Sequence, residues 1–279
     1  MHSYRGTTTL VTGASKGLGR AYAHELARRG SHLVLVARSH TTLEQIAAEI
    51  RAEHGVDARV IAADLSDPSG PATVLDELTG QRVTVDLLLN NAGMGSVGPF
   101  FSRPFEQSLE SVEVNVTGLM RMTRLIGADM VERGSGGIIN VGSTAAFQPM
   151  PYQASYAATK AFVLYFTEAL AEELRGTGVR VMGAHPGATD TGFFDNTTAV
   201  MDPRVTDRPE AVAAKTLDDF ARGKAASYPG RRLHRVSSWA ARFLPRTAVT
   251  RGVAAMNRKL GHHEVQDVGA PASSSKSPS

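Results

Sequence analysis

Apolar positions in this chain come in short runs, each followed by a longer stretch with apolar residues three and four apart. The runs Thr8–Thr12, His32–Ala37, Arg59–Ala63, Asp86–Asn90, Ile138–Val141 and Val179–Ala184 read as strands, with Ala225–Tyr228 as a short last one. The stretches Gly17–Arg29, Thr41–Glu53, Ala72–Leu78, Arg103–Arg133 and Ala154–Arg175 read as helices. Gly30 suits the end of the first helix, and Gly134–Gly137 forms a glycine-rich turn. Asp207-Arg208-Pro209-Glu210 reads as a helix start, with Asp207 as its cap and the helix running to about Ala221. Asp86–Asn90 is almost wholly apolar, as expected of a strand covered on both faces. This alternation predicts an α/β fold, a doubly wound parallel sheet of about seven strands with helices on both faces. Ligands of such sheets sit beyond the carboxyl ends of the strands.

Past Gly230 the pattern changes. Leu233, Val236, Ala240, Phe243 and Leu244 share one helical face, with Arg235, Arg242 and Arg246 opposite and Pro245 closing the segment. The expected organisation is one domain over 1–230, a basic amphipathic helical extension over 231–267, and a disordered Ala/Ser/Pro/Lys-rich tail over 268–279. The formal net charge of +3 hides an asymmetry: from Gly230 onward nine Lys and Arg face two acidic residues, a net of +7 that leaves −4 on the rest. Such an extension covers the protein's own cleft or a neighbouring subunit, or makes a membrane-surface contact through 231–247. With only Trp239 and Phe243 as aromatics there, it offers no stacking platform for nucleic acid.

Composition narrows the chemistry. The chain has no cysteine, which excludes disulfides, thiolate metal sites and cysteine nucleophiles. His262-His263 lacks an obvious third ligand, so no metal site is expected. No apolar run approaches the roughly 18 residues of a membrane span. The N-terminus enters a strand without the apolar core of a secretory signal, so a cytoplasmic location is expected.

Two motifs carry the chemistry. Thr12-Gly13-Ala14-Ser15-Lys16-Gly17-Leu18-Gly19 joins the first strand to the first helix, where glycines let the backbone approach a pyrophosphate at a helix N-terminus. The second strand ends Val36-Ala37-Arg38-Ser39, without the carboxylate that binds a ribose 2′-hydroxyl. Arg38 suits a 2′-phosphate instead, with Lys16 and Ser39 in support, which favours NADP over NAD. The second motif is Tyr156-Ala-Ala-Thr-Lys160, a phenol and an ammonium one helical turn apart. A nearby ammonium should lower the phenol's pKa and let it exchange a proton near neutral pH. Ser143 precedes it, in a small-residue loop. No G-K-[ST] ends the glycine turn, which disfavours phosphoryl transfer.

Together these motifs resemble those of the short-chain dehydrogenase/reductase family, over about Arg5 to Gly230. The matching features are the glycine turn Thr12–Gly19, Asp64-Leu65, Asn90-Asn91-Ala92-Gly93, Asn115 in Asn115-Val116-Thr117-Gly118, Ser143, Tyr156 with Lys160, and Pro186-Gly187 followed by Thr189 and Thr191. The resemblance implies a Rossmann-type sheet and an NADP(H)-dependent oxidoreductase acting on a carbonyl/alcohol pair, chiefly by reduction. It further implies that Tyr156 exchanges the proton, Lys160 lowers its pKa and binds the nicotinamide ribose, Ser143 holds the substrate oxygen, and Asn115 holds a relay water. Cofactor contacts are implied at Gly13, Ser15, Lys16, Gly17, Leu18, Gly19, Arg38, Ser39, Asp64, Leu65, Asn91, Ala92, Gly93, Pro186, Gly187, Thr189 and Thr191, as well as at Tyr156 and Lys160. A homodimer or homotetramer is implied, built partly from the Arg103–Arg133 and Ala154–Arg175 helices. The alternative is an NADP-binding sensor or scaffold without turnover. Met94, Phe147, Met150, Tyr152, Phe193, Phe194 and Met201 suggest an apolar pocket and a small apolar carbonyl or alcohol substrate. Phe162, Tyr165 and Phe166 read as core or subunit interface, and His185 as structural.

Overall fold

Parallel pairing of seven strands in the order β3-β2-β1-β4-β5-β6-β7 organises the molecule. The computed structural model describes residues 3–191, 206–231 and 243–265. The strands are β1 (Thr8–Thr12), β2 (His32–Ala37), β3 (Ala58–Ala62), β4 (Leu87–Asn90), β5 (Gly136–Val141), β6 (Val179–Ala184) and β7 (Ala226–Ser227). The helices are α1 (Gly17–Arg28), α2 (His40–His54), α3 (Gly70–Gly80), α4 (Phe105–Val112), α5 (Leu119–Arg133), α6 (Ala154–Glu173) and α7 (Pro209–Ala221), followed by a terminal α8 (Arg246–Lys259).

Alternate residues of the apolar strands feed opposite cores. Leu33, Leu35, Leu87 and Leu89 pack with α1, α2 and α7 through Tyr22, Leu43, Ile50 and Phe220. Val34, Val36 and Leu88 pack on the other face with Val74 of α3 and Met122, Ile126 and Met130 of α5. Two tyrosines tie α7 to the amino-terminal half: Tyr4 Oη donates to the Leu217 carbonyl (2.7 Å) and Tyr22 Oη to Thr216 Oγ1 (3.0 Å). Strand order reverses between β1 and β4, and the crevice at that switch point opens beside the glycine turn.

Two expectations need correction. The long helix expected over Arg103–Arg133 is α4 and α5 joined by a π-helical turn, Glu113–Gly118, with a 3-10 turn at Phe100–Ser102 before it. Asp207 is not the cap of α7: Arg208 holds that position, and the Asp207 carboxylate accepts the Arg231 N–H instead (3.2 Å). Pro245 opens a helix, α8, while the segment it was expected to close lies largely outside the described residues. The face expected from Leu233 to Ala240 lies outside the described residues, as do Phe193, Phe194 and Met201.

Candidate active site

The glycine turn is shaped by close backbone approach. Gly13 and Gly17 have φ of 66° and 53°, the left-handed region that glycine enters without strain. A Cβ on Gly19 would sit 2.1 Å from the Gly13 carbonyl oxygen, and one on Gly13 would sit 2.8 Å from Ala92 Cα. The Asn90–Gly93 segment is fastened to the same turn. The N–H groups of Asn91 and Ala92 both donate to Thr12 Oγ1 at 3.0 Å, and Asn91 Nδ2 donates to the Thr12 carbonyl at 3.0 Å. The Asn91 side chain is therefore a brace. Leu18 and Leu65 bury their side chains in the two cores, leaving only backbone for a ligand. The glycines thus let the turn pack closely on Ala92, Asn91 and Thr191 at the start of α1, the place in such a sheet where backbone N–H groups suit a pyrophosphate.

At the end of β2, Arg38 is exposed and forks between two carboxylates, Glu110 Oε1 at 3.0 Å and Asp64 Oδ2 at 3.9 Å. Ser39 caps α2, its hydroxyl accepting the Thr42 N–H (3.4 Å). Asp64 also accepts from the N–H (2.9 Å) and hydroxyl (2.7 Å) of Ser66. Thr189 Oγ1 donates to the Gly187 carbonyl (3.1 Å), and the backbone at Thr191 lies against Gly17. Ser15, Lys16 and Pro186 lie on the same carboxyl-end rim of the sheet.

Beside the glycine turn, four polar side chains converge on the carboxyl end of β5. Ser143 caps the turn Thr144–Phe147, accepting the Ala145 N–H at 3.1 Å, and hydrogen-bonds the Tyr156 phenol. Lys160 is buried, donates to the Val141 carbonyl at 2.9 Å, and holds its Nζ 5.8 Å from the centre of the Tyr156 ring. A Cβ on Gly93 would lie 3.0 Å from Asn115 Oδ1 and 3.4 Å from Lys160 Nζ, so Gly93 forms the floor shared by both. Asn115 sits in the π-helical turn, its amide spent on protein partners. Its Oδ1 accepts the Met94 N–H (2.9 Å), and its Nδ2 donates to the Met94 carbonyl (2.7 Å) and to Thr159 Oγ1 (2.9 Å). Thr159 in turn donates to the Tyr156 carbonyl (2.8 Å), which links Asn115 to the helix turn carrying the phenol.

The electrostatics differ from the sequence expectation. Burial raises the Tyr156 pKa above its ordinary value of 10, with the Ser143 hydrogen bond opposing. Burial pushes Lys160 itself from 10.5 down to about 8. A lysine that titrates near 8 is still mostly an ammonium at neutral pH, while desolvation keeps the neighbouring phenol in its neutral form. Both groups share one desolvated floor, and low polarity penalises each charged form.

His185 is buried beneath the Ser143 loop, its ring 5.4 Å from Phe147 and 5.6 Å from Tyr228. Burial, then the neighbouring Lys160, lowers its pKa to about 4, so the ring is neutral. Gly142 and Gly183 make room for it, since a Cβ on either would approach within 2.5 Å and 2.7 Å of the ring.

A cavity of about 650 Å³ adjoins this site. It is lined by Ala146–Pro151, by Ala154, Ala157, Ala158, Ala161, Leu164 and Tyr165 of α6, and by Leu244, Arg246 and Val249. Phe147 and Met150 are among its lining, whereas Ser143, Tyr156 and Lys160 are not. The Met94 N–H donates to Asn115 Oδ1, and the Tyr152 ring lies 6.2 Å from His263. Asn257 Nδ2 of α8 donates to the Pro151 carbonyl at 2.8 Å, so α8 covers the loop that follows Ser143.

Residues 7–201 match the family model described as short chain dehydrogenase. This chain belongs to that family. The short chain dehydrogenase also resembles a very-long-chain 3-oxoacyl-CoA reductase of Anas platyrhynchos, 35% identical over 187 residues. That match covers 65% of this chain and 59% of the relative's length. Among solved structures, it is similar to a short-chain dehydrogenase from Sphingobium yanoikuyae in complex with NADPH, at 31% identity and a TM-score of 0.75, covering 96% of this chain and 99% of the other. A family member from Burkholderia phymatum in complex with NAD is 25% identical with a TM-score of 0.73, covering 82% and 90%.

Proposed function

We propose that this protein is an NADPH-dependent reductase of an apolar ketone, with 3-oxoacyl thioesters as the leading substrate class. The observation that carries the reading is the convergence of Ser143, Tyr156 and Lys160 beside the glycine turn. Gly13–Gly19 and Asn91–Gly93 would hold the pyrophosphate, and Arg38 with Lys16 and Ser39 the 2′-phosphate. When bound, the nicotinamide supplies the hydride. Ser143 donates a hydrogen bond to the substrate oxygen and fixes its position. Tyr156 gives that oxygen the proton. A phenol held above its ordinary pKa stays protonated at neutral pH, the form a proton donor needs. Lys160 is poised to hydrogen-bond the ribose. Asn115 is a positioning residue that fixes the Met94 backbone to the helix turn carrying Tyr156.

The apolar substrate class is supported by the Phe147 and Met150 lining of the adjoining cavity and by the relatives named for long-chain 3-oxoacyl substrates. The test follows NADPH absorbance with purified protein and a panel of apolar ketones and 3-oxoacyl thioesters. Wild type should oxidise NADPH, and Tyr156→Phe should bind it normally but turn over about 10²–10⁴-fold more slowly. Equal rates in the two proteins refute the assigned role of Tyr156.

A further inference from the structure

A second constellation lies away from this cleft, where α1 packs on the C-terminal end of α2. His24 of α1 and Glu53 and His54 of α2 each present one ligand atom, all within 4.8 Å of one another. His24 Nδ1 lies 4.0 Å from Glu53 Oε2, and His54 Nε2 lies 3.8 Å from the same oxygen. The two imidazoles meet edge to face at 6.4 Å.

We propose that these three side chains form a surface site for a divalent transition metal, Zn²⁺ foremost. Two imidazoles and a carboxylate are a ligand set that borderline metals take, with the fourth position left to water. Bonds of about 2.0–2.2 Å to one tetrahedral ion put the donor atoms roughly 3.3–3.5 Å apart. The donors here must therefore close by only a fraction of an ångström to somewhat over one. The Glu53 side chain is 65% exposed and free to rotate, whereas the His54 side chain is 13% exposed and held.

A second feature supports the assignment. The other nitrogen of His24, Nε2, faces Glu49 Oε2 at 3.7 Å, and Arg20 holds that carboxylate at 2.7 Å. A carboxylate behind the outer nitrogen is the arrangement that orients a metal-bound imidazole. Arg20–Glu49 and His24–Glu53 thus form successive rungs between the two helices, the second rung carrying the metal. The bound ion would clamp α1 to α2, the helices whose N-terminal ends adjoin the phosphate turn and Ser39.

Calorimetric titration of chelator-treated, untagged protein with Zn²⁺ tests this, with Co²⁺ absorption as a second readout. One Zn²⁺ should bind per chain and raise the melting temperature with its concentration. Glu53→Gln and His54→Asn should each weaken binding by about 10- to 100-fold, and His262→Asn with His263→Asn should leave it unchanged. Glu53 is exposed, so its variant folds even if the histidine variant does not. The absence of saturable binding overturns the site, as does unaltered affinity in Glu53→Gln or loss of binding in the His262/His263 variant.

Discussion

Lys160 shows how a single residue sets stability against chemistry. Its ammonium is buried and, among the described residues, opposed by no carboxylate, so the charged form is destabilised in the folded chain. A drop from 10.5 to about 8 corresponds to roughly 3 kcal/mol. The sign follows from proton counts. Below pH 8 both folded and unfolded chains carry the proton, and the cost is fully present. Between pH 8 and 10.5 the unfolded chain still holds the proton while the folded chain has released it, so stability rises with pH. Lys160→Met should therefore melt higher than wild type at pH 7, flatten the rise between pH 8 and 10.5, and lose most turnover. Thermal melts across that range decide it; a variant that keeps the wild-type slope removes Lys160 as its source.

Among the elements, those that bracket the site make the cofactor choice testable. Arg38 ends β2, Glu110 lies on α4, and their 3.0 Å ion pair is exposed. A 2′-phosphate would compete with Glu110 for the guanidinium. Arg38→Ala should weaken NADPH binding by about 10- to 100-fold and leave NADH nearly unchanged, and Glu110→Gln should tighten NADPH severalfold. Dissociation constants for both nucleotides in the three proteins check this; equal losses for NADH and NADPH in Arg38→Ala sink the NADP assignment.

The same elements show what could be read before the fold was known. Strands β1 to β6 were legible because a sheet covered on both faces leaves near-continuous apolar runs, and their ends moved by at most two residues. The turn at Thr12–Gly19 and the Tyr156–Lys160 pair were legible because their spacing is local. The break at Glu113–Gly118 was not, since a π-helical turn inserts within an otherwise regular 3.6-residue pattern. Helix α8 falls within the helical extension expected over 231–267, but its start at Pro245 was not legible, since its face of Ala, Thr and Arg carries little apolar signal. The Asp207–Arg231 contact, the His24–Glu53–His54 cluster and the pKa of Tyr156 depend on residues far apart in sequence or on burial, which no spacing encodes.

At the scale of the whole molecule, α4 leaves an apolar stripe without cover among the described residues. Phe105, Leu109 and Val112, at successive turns, are 57%, 48% and 39% exposed, and Tyr165 of α6 is 70% exposed. Phe162 and Phe166 stack at 5.5 Å on the same helix as Tyr165 rather than entering the core. Burying these side chains against a second copy would remove a contiguous apolar surface from water at roughly 25 cal/mol per Å². The stripe belongs to the helix that leads into Asn115, and α6 carries Tyr156 and Lys160, so self-association would brace the elements that position the site. Leu109→Asp places a charge at the middle of the stripe, where the side chain is exposed and the monomer fold tolerates it. Light scattering should give a dimer or tetramer for wild type and a monomer for Leu109→Asp, with unchanged circular dichroism. An assembly that survives the charge would move the interface off α4, and a wild-type monomer would leave the stripe without a self-association role.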